Sequence, residues 1–209
     1  RIAMSKKLVI FDLDGVLIDS RDNMKYAWEA VRSETKVSVE FEQYFELIGK
    51  PFLDILDVLH LSKEGKKIEQ IFRTSSAKKM SQINFYPGVI DTLNELRHKG
   101  LKLSVVTSKD KLRTDAVLSR LPFIFDDVQT PSDFYRGKPA PDQLLLSMAI
   151  TQVDPNDSIY IGDMDVDFHA ANRASIDYLH ADWGYGERPS RKVSAIESIE
   201  NINNYLGLI

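Results

Sequence analysis

Hydrophobic positions along the chain fall into two patterns. Residues 8–11, 103–107, 123–128, 159–161 and 178–181 form five short, mostly apolar runs of strand length. The first, second and fourth are nearly uninterrupted. Strands that read this way are covered on both faces, as in a parallel sheet. Between the later runs apolar residues recur at helical spacing. Pro87-Gly88 opens one such stretch, with Val89, Leu93 and Leu96 on one face and Gly100 beyond its end. A second spans 111–120. A third starts at Pro141 and places Leu144, Leu145, Met148 and Ala149 inward. A fourth follows Asp163 as far as Ala174. Alternating strands and helices imply right-handed crossovers and an α/β, doubly wound (Rossmann-like) parallel sheet.

Residues 20–84 break the alternation. They carry helical periodicity and no strand pattern. Trp28, Val31, Phe41, Phe45, Leu53, Leu56, Ile68, Ile71 and Phe72 supply a small apolar core of their own. The expected organisation is a core domain of residues 4–19 and 85–209, with a small α-helical cap domain, 20–84, inserted after the first strand. The tail after Gly184 reads as a loop followed by one or two weak helices. Arg1-Ile2-Ala3, ahead of Met4, are expected to be a leftover of cloning and are left out of the fold reading.

Polar residues stand where the strands should end. Asp12 and Asp14 follow the first, in Phe11-Asp12-Leu13-Asp14-Gly15-Val16. Thr107-Ser108-Lys109 ends the second. Gly137-Lys138-Pro139-Ala140-Pro141-Asp142 follows the third, and Gly162-Asp163-Met164-Asp165-Val166-Asp167 ends the fourth. In a parallel sheet these four ends meet at one edge, the edge at which open α/β sheets bind ligands. Two carboxylates at a buried strand end repel each other and lose hydration, so they need a cation. Up to four carboxylates, Asp12, Asp14, Asp163 and Asp167, are available to a hard divalent ion. Mg²⁺ suits an all-oxygen set because it keeps several waters. Lys138 offers a fixed positive charge, Thr107 a hydroxyl and Ser108 a backbone N–H, all suited to phosphoryl oxygens. Asp165 is expected to face solvent and His169 to be structural. Asp12 and Asp14 alone would fit an Asx-turn at a strand end; the convergence of all four segments argues for chemistry.

Composition narrows the function. The 209 residues carry a net charge of −4 and no basic stripe, so nucleic acid is not the expected partner. No apolar run approaches the roughly 18 residues of a membrane span. The absence of cysteine excludes disulfides and thiolate metal sites and fits a cytoplasmic location.

The set Asp12-x-Asp14-Gly15-Val16, Thr107-Ser108, Lys138-Pro139-x-Pro141 and Gly162-Asp163-x-x-x-Asp167 resembles the four signature motifs of the haloacid dehalogenase superfamily, in order and across nearly the whole chain. The resemblance implies Asp12 as nucleophile and Asp14 as general acid/base. It implies Mg²⁺ held by the Asp12 carboxylate, the Asp14 backbone carbonyl and Asp163, with Asp167 in support. It also implies phosphate contacts from Thr107, Ser108 and Lys138. Dehalogenating members lack the second aspartate, so Asp14 favours phosphoryl chemistry. The helical insertion resembles the cap of the subfamily that includes phosphoglycolate phosphatase and β-phosphoglucomutase. The mutases place a His where this chain has Met24, and a cap basic residue where it has Phe52. Gly49-Lys50-Pro51 and Trp183-Gly184-Tyr185-Gly186 look more like the phosphoglycolate-type phosphatases, which makes Lys50 a candidate substrate contact. The expected activity is Mg²⁺-dependent hydrolysis of a small phosphorylated metabolite through an aspartyl-phosphate, with a phosphomutase as the alternative and a catalytically silent binding module as the remote one.

Overall fold

In a computed structural model of the chain, residues 5–208 are described. The expectation for residues 1–3, and the first residue of the expected core, Met4, lie outside the described residues. Eight strands and nine α-helices follow one another among the described residues as β1 (Leu8–Phe11), β2 (Ile18–Asp19), α1 (Arg21–Glu34), α2 (Phe41–Phe45), α3 (Phe52–Val58), α4 (Gly65–Ala77), β3 (Asn84–Phe85), α5 (Val89–His98), β4 (Lys102–Val106), α6 (Lys111–Leu118), β5 (Asp127–Gln129), α7 (Asp142–Thr151), β6 (Ser158–Gly162), α8 (Asp165–Arg173), β7 (Asp177–Ala181), β8 (Ala195–Ile196) and α9 (Asn201–Tyr205).

Six strands form one sheet in the order β5-β4-β1-β6-β7-β8. Every pairing within it is parallel. The first strand of the chain sits in the middle, between β4 and β6, and its four residues are all buried. Their alternation explains the unbroken apolar run. Val9 and Phe11 pack on one side of the sheet with Leu93 and Leu96 of α5. Leu8 and Ile10 pack on the other with Leu144 of α7 and Ala170 of α8. The expected doubly wound α/β architecture is therefore present, with a sixth strand added. β8 is only two residues long, too short to leave a pattern in the sequence. β5 starts four residues later than its apolar run: Phe123 and Phe125 precede it and pack edge-to-face, 5.0 Å apart.

One helix face needs correction. On α7, Leu145 is 46% exposed and Ala149 is exposed as well. The inward residues are Leu144, Met148 and the polar Gln143, Ser147 and Thr151. Ser147 Oγ donates to Ser104 Oγ of β4 at 2.8 Å, and Thr151 Oγ1 donates to the Ser147 carbonyl at 2.8 Å. With their hydroxyls satisfied, these small polar side chains are buried at little cost and let the helix lie close to the sheet.

Residues 20–84 carry a hydrophobic cluster separate from the two that flank the sheet. Trp28, Val31, Phe41, Tyr44, Leu56, Ile68 and Phe72 are buried in it, with Phe45 and Ile71 packed at its edge. Leu53, expected inside, is 48% exposed. Trp28 stacks on Tyr44 with ring centroids 4.6 Å apart, and its Nε1–H donates to the Val39 carbonyl at 2.8 Å. The segment leaves and rejoins the sheet through β2 and β3, which pair antiparallel with Ile18 opposite Phe85 and Asp19 opposite Asn84. Asn84, expected to be helical, belongs to this short ribbon.

Removal of the central indole should collapse the helical cluster. Trp28→Ala is expected to lower unfolding stability by about 3–5 kcal/mol, measured by urea titration. A loss under about 1 kcal/mol would show that the cluster does not depend on that ring.

Candidate active site

The strand ends converge because their ladders run on past the strands. Asp12 N–H donates to the Ile161 carbonyl at 2.9 Å, and Thr107 N–H to the Gln129 carbonyl at 3.0 Å. Asp12 and Thr107 are thus fixed by backbone pairing, Asp163 directly follows β6 with its N–H on Asp167 Oδ2 at 3.1 Å, and Lys138 reaches them from the loop before α7. All four are buried. The Lys138–Pro139 peptide is cis.

Asp12, Asp163 and Asp167 form a buried acidic cluster in which one carboxylate oxygen of each lies within 4.8 Å of the others. Lys138 Nζ faces it and donates to Asp12 Oδ1 (3.1 Å), Asp167 Oδ1 (2.8 Å) and the Tyr160 hydroxyl (3.0 Å). Burial disfavours its ammonium, but the charges of Asp12 and Asp167 outweigh that and hold its pKa above the ordinary lysine value. Asp167 is saturated by protein donors. Its Oδ1 accepts from Lys138 and from the Tyr160 hydroxyl (3.1 Å), and its Oδ2 accepts from the backbone N–H groups of Asp163 (3.1 Å) and Met164 (3.0 Å). Asp12 accepts from Leu13 N–H at 2.8 Å, again through Oδ1. Protein groups alone do not satisfy the cluster. Burial and the Asp167 charge push Asp12 up to about 8, against the pull of Lys138. Burial, then the charges of Asp12 and Asp167, raise Asp163 well above the carboxylate range.

Asp163 is the least satisfied member. Its Oδ2 accepts from Tyr185 N–H at 2.8 Å, while its buried Oδ1 has no partner among the described residues. Two glycines make room for it. Gly15, at φ +82°, and Gly184 both approach so closely that a Cβ on either would collide with the Asp163 side chain. An orphaned carboxylate oxygen, an excess of buried negative charge and an all-oxygen donor set fit a hard divalent cation such as Mg²⁺.

Asp14 lies apart from the cluster. Its Oδ1 accepts from Ser20 Oγ at 2.5 Å and pairs with Lys109 Nζ at 3.1 Å. Lys109, quoted in the sequence only as part of a strand end, is nearly fully buried and lines the cavity between the sheet edge and the helical segment. Burial lowers its pKa, opposed by the adjacent Asp14 charge. Asp12, Asp14, Thr107 and Ser108 line the same cavity, and Lys50 closes it from the opposite wall. The Thr107 hydroxyl accepts from Lys109 N–H at 3.1 Å. Ser108 Oγ donates to the Gly49 carbonyl at 2.6 Å, so this side chain ties the helical segment to the sheet edge. Met24 and Phe52 are apolar wall residues; Arg73 and Arg113, which periodicity could not single out, add positive charge. Asp165 faces solvent, as expected, and pairs with His169 at 3.0 Å on the exposed side of α8.

The profile of the haloacid dehalogenase-like hydrolases matches residues 9–181. The chain is 29% identical to the phosphoglycolate phosphatase of Aquifex aeolicus over 187 residues, 86% of each protein. It is 24% identical to the pyrophosphatase PpaX of Oceanobacillus iheyensis over 182 residues, 86% of this chain and 85% of the relative. A hydrolase from Pseudomonas syringae shares the fold, with a TM-score of 0.84 over 99% of both chains at 22% identity. Carried from its strand-end motifs to its sheet order, the chain belongs to the haloacid dehalogenase-like hydrolases.

Proposed function

We propose that the protein is a Mg²⁺-dependent phosphatase that hydrolyses a small phosphate monoester through a phosphorylated Asp12. The observation that carries this reading is the buried cluster of Asp12, Asp163 and Asp167 against Lys138, facing a cavity whose rim holds Asp14, Thr107, Ser108 and Lys109. Phosphatases among the relatives support the same reaction class.

Mg²⁺ would be held by the Asp12 carboxylate, the Asp14 backbone carbonyl and Asp163, and when bound it offsets charge on the phosphoryl oxygens. Asp167 acts behind this set by gripping Lys138 and the Asp163–Met164 turn. Both hydrogen bonds to Asp12 fall on Oδ1, which leaves Oδ2 to attack phosphorus. The new bond joins Oδ2 to phosphorus as the ester P–O bond breaks. Asp14, as the acid, donates its proton to the departing oxygen. Asp14 then takes a proton from a water that attacks phosphorus, which releases phosphate and restores the Asp12 carboxylate. Thr107 hydroxyl and Ser108 N–H are placed to receive phosphoryl oxygens. Lys138, with its ammonium shared among Asp12, Asp167 and Tyr160, steadies the nucleophile. Positive charge at the cavity wall beside the phosphoryl group comes from Lys109.

Residues 20–84 serve as a cap over the core of residues 4–19 and 85–209. Closure excludes bulk water while the acyl phosphate exists. The substrate is a small phosphorylated metabolite of the phosphoglycolate type, and Lys50 reaches it from the cap. A phosphomutase would need basic groups where Met24 and Phe52 stand. The cysteine-free sequence supports a cytoplasmic setting, and no helix among the described residues is long and apolar enough to cross a membrane.

Asp12→Asn is expected to abolish hydrolysis of p-nitrophenyl phosphate, a loss of at least about a thousandfold, with the melting temperature preserved. Turnover near the wild-type rate in that variant would remove Asp12 from the nucleophile's role. EDTA should silence the enzyme and added Mg²⁺ restore it; activity that survives chelation counts against the metal. In a phosphate-release panel of phosphorylated metabolites, compact phosphorylated acids are expected to outpace nucleotides, and the reverse order would reassign the substrate class.

A further inference from the structure

The turn Trp183-Gly184-Tyr185-Gly186 lies at the carboxyl end of β7 and is pinned at each residue. Trp183 Nε1–H donates to the Val16 carbonyl at 3.0 Å. Gly184 N–H donates to the Ala181 carbonyl at 3.0 Å. Tyr185 N–H donates to Asp163 Oδ2 at 2.8 Å. His180 Nε2, from the buried side of β7, contacts the Gly186 carbonyl at 2.9 Å. A turn held at this many points is a rigid fixture on the sheet edge.

From it the Tyr185 side chain crosses to the start of the helical segment. Its hydroxyl accepts from Ser20 N–H (2.8 Å) and Arg21 N–H (3.2 Å) and donates to Asp19 Oδ1 (2.8 Å). One donor and two acceptor positions are thereby filled. Ser20 is the N-cap of α1, and a serine there ordinarily turns its hydroxyl onto the helix's first amides. Here it makes no such bond, because its Oγ is committed to Asp14. The Tyr185 oxygen, from 165 residues away, instead takes the amides of the cap residue and of the first helical residue, Ser20 and Arg21. The ring also packs on Phe45 of α2, centroid to centroid 4.9 Å.

We infer that Tyr185 is a positioning residue that clamps the hinge Asp19–Arg21 to the turn that holds Asp163, so that the helical segment closes in one fixed relation to the acidic cluster. The two functions share one residue: the backbone N–H orients Asp163 and the phenol oxygen orients the hinge. The kinetic and Mg²⁺-binding consequences rest on the phosphatase reading; the amide-exchange consequence does not.

Tyr185→Phe deletes the hydroxyl and keeps both the ring and the N–H. Amide hydrogen exchange at Ser20 and Arg21 is expected to accelerate about tenfold, from the loss of two hydrogen bonds. Exchange at Val9, Ile10 and Phe11 should stay within about twofold, as should the Mg²⁺ dissociation constant by calorimetry, because the bond to Asp163 survives. KM for p-nitrophenyl phosphate should rise by a larger factor than kcat falls. Asp19→Ala removes the acceptor of the phenol proton and should accelerate the same two amides. Its combination with Tyr185→Phe should add nothing further, since both act through one contact. Unchanged exchange at Ser20 and Arg21 in Tyr185→Phe, or full additivity in the double variant, would overturn the clamp. Absence of phosphatase activity in the wild-type protein would instead overturn the phosphatase reading and leave the exchange result to decide the clamp.

Discussion

Three carboxylates buried beside one lysine set the terms for the rest of the molecule. Each carboxylate taken out of water carries a desolvation penalty of several kcal/mol, and like charges at this distance raise it. Lys138 offsets part of the charge, and its buried ammonium is satisfied by hydrogen bonds donated to Asp12, Asp167 and Tyr160. Asp167 has both oxygens on protein donors, whereas Asp163 keeps one oxygen with none among the described residues. The cluster is thus divided between a carboxylate that builds the site and carboxylates left under-satisfied. That division leaves a buried carboxylate oxygen of Asp163 without a protein donor among the described residues.

The surrounding fold is arranged to tolerate this charge. Strand β1, packed on both faces, delivers Asp12 to a fixed point, and the parallel ladder sets β4 and β6 at the same height on either side. Glycines at 15 and 184 let two backbones press against Asp163. Lys109 pairs with Asp14 while Lys138 pairs with Asp12, so two aspartates two residues apart in sequence occupy different environments. One is encased among like charges, while the other is partly exposed and tied to a lysine and a serine. Such divergence is the usual basis for assigning distinct acid, base and nucleophilic roles to neighbouring carboxylates.

Much of this was legible in the sequence because the strands are short, apolar and closed by polar residues. Asp12, Thr107 and Asp163 each follow a strand directly, so knowing the strands locates them, and Lys138 stands out in the loop between β5 and α7 through its Gly137 and Pro139 neighbours. The helical segment was equally plain from Trp28, Phe41, Leu56 and Phe72. Features set by long-range partners stayed hidden. Nothing near Tyr160 or Tyr185 in the chain says that their hydroxyls meet Asp167 or Ser20. Ser20 reads locally as a cap and Lys109 as a strand-end charge, and each is redirected by Asp14. The α7 face was misjudged because Ser147 and Thr151 bury well once bonded, while Leu145 and Ala149 do not need to be inside. β8, two residues long, carries no period to detect.

The ribbon of β2 and β3 has a wider consequence. The helical segment departs at Asp19 and returns at Asn84, directly opposite each other. Whatever lies between those points, the sheet sees the same two strands at the same separation. Lengthening or replacing the intervening chain would add only a slowly growing loop-closure cost to the core. The inserted stretch can therefore change in length or sequence while the strand ends that carry the acidic cluster keep their geometry, because it joins the core at two adjacent points of one contiguous stretch of the gene.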